Sequence, residues 1–305
     1  MKKNLVIGAI TNCVWKDVEP FFNSFKQANF ENTDCVMFVH NMTSRTLNKI
    51  RECGVKIFSI PDELKNIRVI NSRWKLYSDF LTEHNSEYSQ IFTADIRDVI
   101  FQRDIFKCYD SDKSFLCIGI EDGILTEECN KNWLINAYGE NVYNEIKHNK
   151  IFCVGTLLGS IDNFCSFSKL ITDEINSFDS KFLKKHIVEQ AAGNIIVYHK
   201  KMFHDVLKTS TNYDGYIMTI GLTNPENIKL DANGNIFNEV GEIAAVVHQY
   251  DRKKLIVAMV KAKYCAEKNF YSNLIYRCEK KFNVLRRDGI LKIIIRKCKK
   301  LFKRI

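Results

Sequence analysis

At 305 residues, 46% of them hydrophobic and 12% aromatic, the chain can bury a substantial core, which excludes a disordered or fibrous protein. Eleven scattered cysteines without a CxxC pair argue against a disulfide framework or a zinc ribbon and for mostly reduced core residues in a cytosolic protein. The net charge of +9 is uneven: residues 277–305 hold twelve Lys and Arg against Glu279 and Asp288, a net of +10, so the body is close to neutral at −1.

The first residues, MKKNLVIGAITNC, imitate a signal peptide, but the run Leu5 to Ile10 is too short for its apolar region and Asn12 is not the small residue that cleavage needs. NLVIGAIT (4–11) reads instead as a buried strand. VEPFFNSFKQANF then reads as a helix, DCVMFVHN (34–41) as a strand, SRTLNKIRECG as a helix ending at Gly54, and VKIFSIP as a third strand stopped by Pro61. Strands alternating with helices imply a mostly parallel sheet with right-handed crossovers.

A longer helix is expected over about 67–83, with Ile70, Trp74, Tyr77 and Leu81 on its core face. Arg73 flanks that face, three residues from Ile70 and four from Tyr77, while Lys75 points the other way. The next segment, SQIFTADIRDVIF, places Asp95 where an apolar strand stops. In open α/β sheets ligands bind outside the carboxyl ends of strands, so Asp95, Arg97 and Asp98 fall at the ligand edge. The competing explanation is an Asp-Arg-Asp salt-bridge cluster capping a turn.

Farther on, SFLCIGIED (114–122) reads as a strand ending near Asp122, and IFCVGTLLGS (151–160) as a strand broken by Gly155 and Gly159. Helices are expected over 161–177 and 184–199, the second carrying Glu189 and Gln190. Asn233 and Gly234 signal a hairpin, and EIAAVVHQYDR reads as a strand delivering His248 at its end. No stretch approaches the 18 apolar residues of a membrane span. One domain (1–260) with a tail (261–305) is expected. In the tail Leu291, Ile294, Ile295, Cys298, Leu301, Phe302 and Ile305 recur at helical spacing opposite Lys292, Arg296, Lys299, Lys300 and Lys303. A basic amphipathic helix of this kind lies in the interface of anionic membranes; the alternative is a helix docked on the domain. With the basic residues confined to the tail and no recognition motif, nucleic acid is not expected as a partner.

The order of these features, with the phrase DIRDVIFQ (95–102), resembles a GT-A glycosyltransferase, in layout closest to glycosyltransferase family 8 with a D-x-R-D variant of the usual DxD, over about residues 4–255. The resemblance implies a Rossmann-like sheet flanked by helices and a nucleotide-sugar donor, a UDP-sugar first. It implies Mn²⁺ or Mg²⁺ held by Asp95, Asp98 and His248, since hard oxygen ligands suit these ions and a cation offsets the charge growing on a leaving diphosphate. Ala9, Thr11 and Asn12 would hold the nucleoside, Arg73 and Arg97 the base or diphosphate, and Gly155 would let the backbone approach the sugar. Glu189 and Gln190 correspond to the acidic-glutamine pair near the anomeric carbon, and Asp122 is a candidate for a sugar hydroxyl or the acceptor. The acceptor would be a glycan or glycolipid such as lipopolysaccharide or capsule, reached from the inner face of a membrane, with retention of configuration favoured. A degenerate fold that binds membranes without catalysis and a metal-dependent phosphohydrolase are the other classes in view; for the second, no DxDxT, HExxH or Walker loop is present.

Overall fold

The computed structural model describes residues 2–110, 113–265 and Lys280. The tail helix expected over 277–305 lies outside the described residues apart from Lys280, whose Nζ meets Asp17 Oδ1 at 3.0 Å.

The chain opens with β1 (Lys3–Thr11), α1 (Trp15–Gln27), β2 (Thr33–His40), α2 (Ser44–Glu52) and β3 (Lys56–Ser59). β1 pairs in parallel with β2, and β2 with β3. Helix α1 starts three residues before the expected Val18, because the Asp17 carboxylate accepts from Val14 N at 3.2 Å and caps the first turn; Pro20 therefore sits inside the helix. It stops at Gln27, short of the expected Phe30, and Asn29 turns the chain through a left-handed φ of 49°.

Next come α3 (Val69–His84), β4 (Tyr88–Ala94) and β5 (Val99–Phe101). β4 pairs in parallel with the other side of β1, so the chain, having moved outward from β1 to β3, returns across it. The strand order thus reverses between β1 and β4, and the crevice at their carboxyl ends is the natural ligand position of such a sheet. Trp74, Tyr77 and Leu81 are buried as the helical spacing requires, whereas Ile70 is half-buried. Lys75 lies on the outer face, paired with Asp79 at 2.9 Å.

The second half contains β6 (Leu116–Ile124), α4 (Glu128–Ile146, bent at Gly139), β7 (Lys150–Ser160), α5 (Ile161–Asn176), α6 (Ser180–Lys185), α7 (Glu189–Asn194), β8 (Leu207–Ser210), β9 (Ile217–Thr219), β10 (Lys229–Leu230), β11 (Ile236–Phe237), β12 (Val246–His248) and α8 (Lys254–Tyr264). The large sheet runs β3-β2-β1-β4-β7-β6-β9-β12-β5, with β8 beside β6. β7 runs antiparallel to β4 and β6, β5 antiparallel to β12, and the other pairs are parallel. β10 and β11 form the small hairpin around Asn233 and Gly234, whose φ is 71°.

β7 is continuous rather than broken at its glycines. It bulges instead: Ile118 faces Leu157 while Gly119 faces Cys153, so three residues including Gly155 bow out of register. The helix expected over 184–199 is interrupted. Asn71 stitches the break open, donating from Nδ2 to Leu183 O at 2.9 Å and His186 O at 2.8 Å and accepting from Val188 N at 2.9 Å. Backbone groups freed from helical bonding are thereby satisfied, α7 begins at Glu189, and the chain passes into a π turn at Ile195–His199.

Two apolar layers cover the sheet. One face packs Leu5 and Ile7 against Trp74, Tyr77, Phe164 and Phe167 from α3 and α5. The other packs Val6 and Ile10 against Phe21 and Phe22 of α1, with Phe92 and Phe101 joining the same cluster. The alternation along β1 is the period of two that puts successive side chains on opposite faces. α8 runs across residue 260 and docks on α1, where Asn23 Nδ2 donates to Tyr264 O at 2.7 Å. No disulfide joins the described cysteines, of which Cys13, Cys35, Cys117 and Cys153 are buried. No described helix is long and apolar enough to cross a membrane.

Candidate active site

At the reversal point a cavity of about 330 Å³ opens at the ends of β1 and β4, lined among others by Ala9, Thr11, Cys13, Arg73, Asp95, Arg97, Asp98 and Asp251. A second, of about 230 Å³, lies behind Asp95 and is lined among others by Glu121, Trp133, Gly155, Glu189, Gln190 and Gln249. Ile70 and Asp95 belong to both. Taken together they reach the size of small-molecule sites, roughly 300–1,000 Å³.

Asp95, Asp98 and His248 converge, with one ligand atom from each lying within 4.8 Å of the others; Asp95 lines both cavities, Asp98 the first, and the buried His248 neither. Strand pairing brings them together: His248 stands opposite Val99, the residue after Asp98, and Gln249 N donates to Asp98 O at 2.9 Å. Asp95 N donates to Gly155 O at 2.8 Å at the β7 bulge. A Cβ on Gly155 would stand 2.6 Å from His248 Cε1 and 2.8 Å from Asp95 Oδ2, so glycine is required for this approach.

His248 is 1% exposed and its Nε2 has no hydrogen-bond partner among the described residues. Nε2 lies 3.6 Å from Asp95 Oδ2 and 3.8 Å from Asp98 Oδ1, too far for good hydrogen bonds. A buried nitrogen orphaned between two carboxylate oxygens fits a divalent cation at the centre. Burial pushes the Asp98 carboxyl up to about 6. Burial also opposes ionisation of Asp95, but the Arg73 guanidinium and His248 outweigh it and hold its pKa below the usual carboxylate range. For His248, burial is outweighed by Asp98 and Asp95, which raise its pKa.

Arg73 is 4% exposed and is the hub behind the metal-ligand candidates. Its Nε and Nη2 donate to Glu189 at 2.7 and 2.6 Å, and Nη1 donates to Asp95 Oδ1. Trp74 Nε1 adds a third donor to Glu189 at 2.7 Å. Burial drives the Glu189 pKa upward while the guanidinium opposes it. Gln190 is engaged as well: Nε2 donates to Phe152 O at 2.6 Å and Oε1 accepts from Val154 N at 3.2 Å, which pins the strand beside the bulge. Glu189 and Gln190 thus belong to a buried polar network.

No hydrogen bond or ion pair with another described side chain engages that of Arg97, which is exposed and lines the first cavity. The competing explanation, a salt-bridge turn, is therefore not what Asp95, Arg97 and Asp98 form. Asn12 lies beside the cavity at a left-handed φ of 58°, its Oδ1 accepting from Asn41 Nδ2 at 2.6 Å. Asp122 lies outside both cavities: it is exposed and its Oδ2 accepts from Asn212 at 3.0 Å and Thr223 at 2.5 Å. Its neighbour Glu121, 5% exposed, faces the second cavity instead. The sequence reading missed Glu121, Gln249 and Trp133; the strand parity of Glu121 relative to Cys117 and Gly119 was the available signal.

No family model and no curated protein matches the chain. Solved structures do. An active-site mutant of LgtC aligns over 88% of this chain and 99% of its own, with a TM-score of 0.53 and 10% sequence identity. The galactosyltransferase LgtC in complex with donor and acceptor sugar analogues aligns over the same shares at a TM-score of 0.48 and 10% identity. At such identity the likeness establishes architecture: this chain has the GT-A, Rossmann-like fold.

Proposed function

We propose that the chain is a metal-dependent glycosyltransferase that moves a sugar from a nucleotide-sugar donor, a UDP-sugar first, to a glycan or glycolipid acceptor with retention of configuration. The observation that carries this proposal is the orphaned Nε2 of His248 facing Asp95, which lines both cavities, and Asp98, which lines the first, at the switch point of a GT-A sheet. Ligand chemistry of two carboxylates and one imidazole suits Mn²⁺ or Mg²⁺, which when bound supplies a Lewis acid for the leaving diphosphate.

The protein's own groups divide the remaining work. Ala9 and Thr11 border the first cavity, where the nucleoside would sit, and the unpaired Arg97 guanidinium offers planar donors to phosphate oxygens. Arg73 fixes Asp95 and Glu189 in orientation, while Gln190 holds the β7 backbone beside Gly155. In this proposal Glu189 and Gln190 are positioning residues, because their polar atoms are spent on Arg73, Trp74 and backbone groups. Residues 277–305 would hold the enzyme on an anionic inner membrane surface, next to a membrane-linked acceptor.

Thermal shift with UDP, GDP, CMP and TDP, with and without Mn²⁺, on the natural protein and Asp95→Ala tests the proposal. The expected result is stabilisation by one nucleotide that needs both Mn²⁺ and Asp95. If no nucleotide stabilises the protein under any condition, the proposal fails.

A further inference from the structure

The second cavity carries a charge pattern that the proposed function does not use. Four carboxylates line it: Asp95, Glu121, Glu127 and Glu189. Three are compensated. Arg73 serves both Asp95 and Glu189, and Glu127 caps α4, its Oε2 accepting from Asn130 N at 3.0 Å and Asn130 Nδ2 at 2.8 Å.

Glu121 differs. It is 5% exposed and pairs with no Lys or Arg among the described residues; Gln249 Nε2 donates to it at 3.2 Å, and the Cys153 thiol and His248 lie close enough to interact with it. A carboxylate buried with so little compensation costs several kcal/mol unless something else donates to it. Glu121 lines the cavity, so a bound molecule can offer it such donors. Arg252, the basic residue on the same lining, is exposed, where water screens it.

Glu121 is also deliberately oriented. Gln249 adopts a left-handed φ of 60°, fixed by its backbone bond to Asp98 O, and from there its amide reaches Glu121. A side chain at Gly221 would collide with that amide, since a Cβ would stand 1.8 Å from Gln249 Oε1. The strain of a non-glycine residue in the left-handed region is maintained where the surroundings enforce it, and such residues cluster at ligand sites.

We propose, resting on the glycosyltransferase function above, that the cavity behind Asp95 receives the transferred sugar, that Glu121 selects it by accepting hydrogen bonds from its hydroxyl groups, and that the pocket admits a neutral hexose and rejects a uronic acid. The shared walls Ile70 and Asp95 put this cavity next in line after the diphosphate position. Sugar hydroxyls supply Glu121 with donors beyond Gln249 and Cys153. A uronate carboxylate would instead face a like charge in a cavity of low dielectric, which is how a site discriminates by repulsion.

The test is calorimetric titration, with Mn²⁺ present, of the natural protein and of Glu121→Gln with UDP, UDP-glucose, UDP-galactose and UDP-glucuronate; if GDP, CDP or TDP is the nucleotide that binds, its conjugates replace these. In the natural protein at least one hexose conjugate binds more tightly than the bare diphosphate, and the glucuronate conjugate does not. In Glu121→Gln the diphosphate affinity is retained, the hexose increment falls about tenfold or more, and the glucuronate conjugate gains affinity. If the diphosphate binds but the hexose increment is unchanged in Glu121→Gln, or the natural protein binds the glucuronate conjugate as tightly as the hexoses, the inference is overturned and the transferase proposal stands. If no nucleoside diphosphate binds at all, both fall.

Discussion

Arg73 and Glu189 meet across 116 residues of sequence in a two-point ion pair, with side chains 5% and 2% exposed. The guanidinium also reaches Asp95, so one cation compensates two carboxylates. Breaking a buried pair from one side leaves an uncompensated charge and costs about 3–5 kcal/mol. Arg73→Met is expected to lower the unfolding free energy by that amount in urea titrations followed by circular dichroism. Arg73→Met combined with Glu189→Leu should recover part of the loss. A loss below about 1 kcal/mol in the single variant would show that water reaches the pair.

Gly155 gives the most local test of the metal site. The added methyl of Gly155→Ala would press on His248 and Asp95 at 2.6 and 2.8 Å, which forces His248 or the bulge to move. The secondary structure should survive, because the clash lies at a bulge and not in a regular ladder. Stabilisation by Mn²⁺ with nucleotide is expected to drop at least tenfold in apparent affinity. Full retention would place the cation elsewhere.

The alternation of elements, the strand that ends at Asp95 and the late strand carrying His248 were legible in the sequence because each rests on local periodicity and a local stop signal. Arg73 was placed correctly beside the core face of α3, yet its full burial was not legible, because that depends on Glu189 arriving from far along the chain. The break before α7 was invisible for the same reason: Asn71, on another helix, supplies the bonds that end it. Asp122 and Glu121 differ by one strand position, and a one-residue change of parity exchanges solvent for cavity. The β7 bulge depends on how β6 and β4 grip the two edges of that strand, which no stretch of β7 alone encodes.

Acid should weaken metal binding. Burial pushes the Asp98 carboxyl up to about 6, and Asp98 and Asp95 outweigh burial at His248 and raise its pKa above the ordinary value. Ligands must be deprotonated to bind a cation, and for both groups the free state holds its proton to higher pH than usual. Apparent Mn²⁺ affinity is therefore expected to be highest on the alkaline side and to fall by about tenfold or more per pH unit below about pH 6, as measured by titration calorimetry across pH 5–8. In Asp98→Asn the overall affinity should be lower and the slope shallower. A pH-independent affinity would remove Asp98 from the ligand set.

The tail offers a prediction separable from catalysis. Twelve basic residues lie between 277 and 305 against two acidic ones, and each Lys or Arg near an anionic surface contributes about 1 kcal/mol at moderate salt. Lys280 is the one residue of 277–305 whose position is described, and it sits against Asp17 at the start of α1, on the side of the domain where Cys13 borders the first cavity. Deleting residues 277–305 is expected to release the protein from phosphatidylserine vesicles in flotation assays while leaving nucleotide-dependent thermal stabilisation in place. The full chain should also detach as salt rises, since screening shortens the reach of surface charge. Binding that survives both the deletion and high salt would move the membrane contact to an apolar surface of the domain itself, and the basic face of the tail would then be simply solvated.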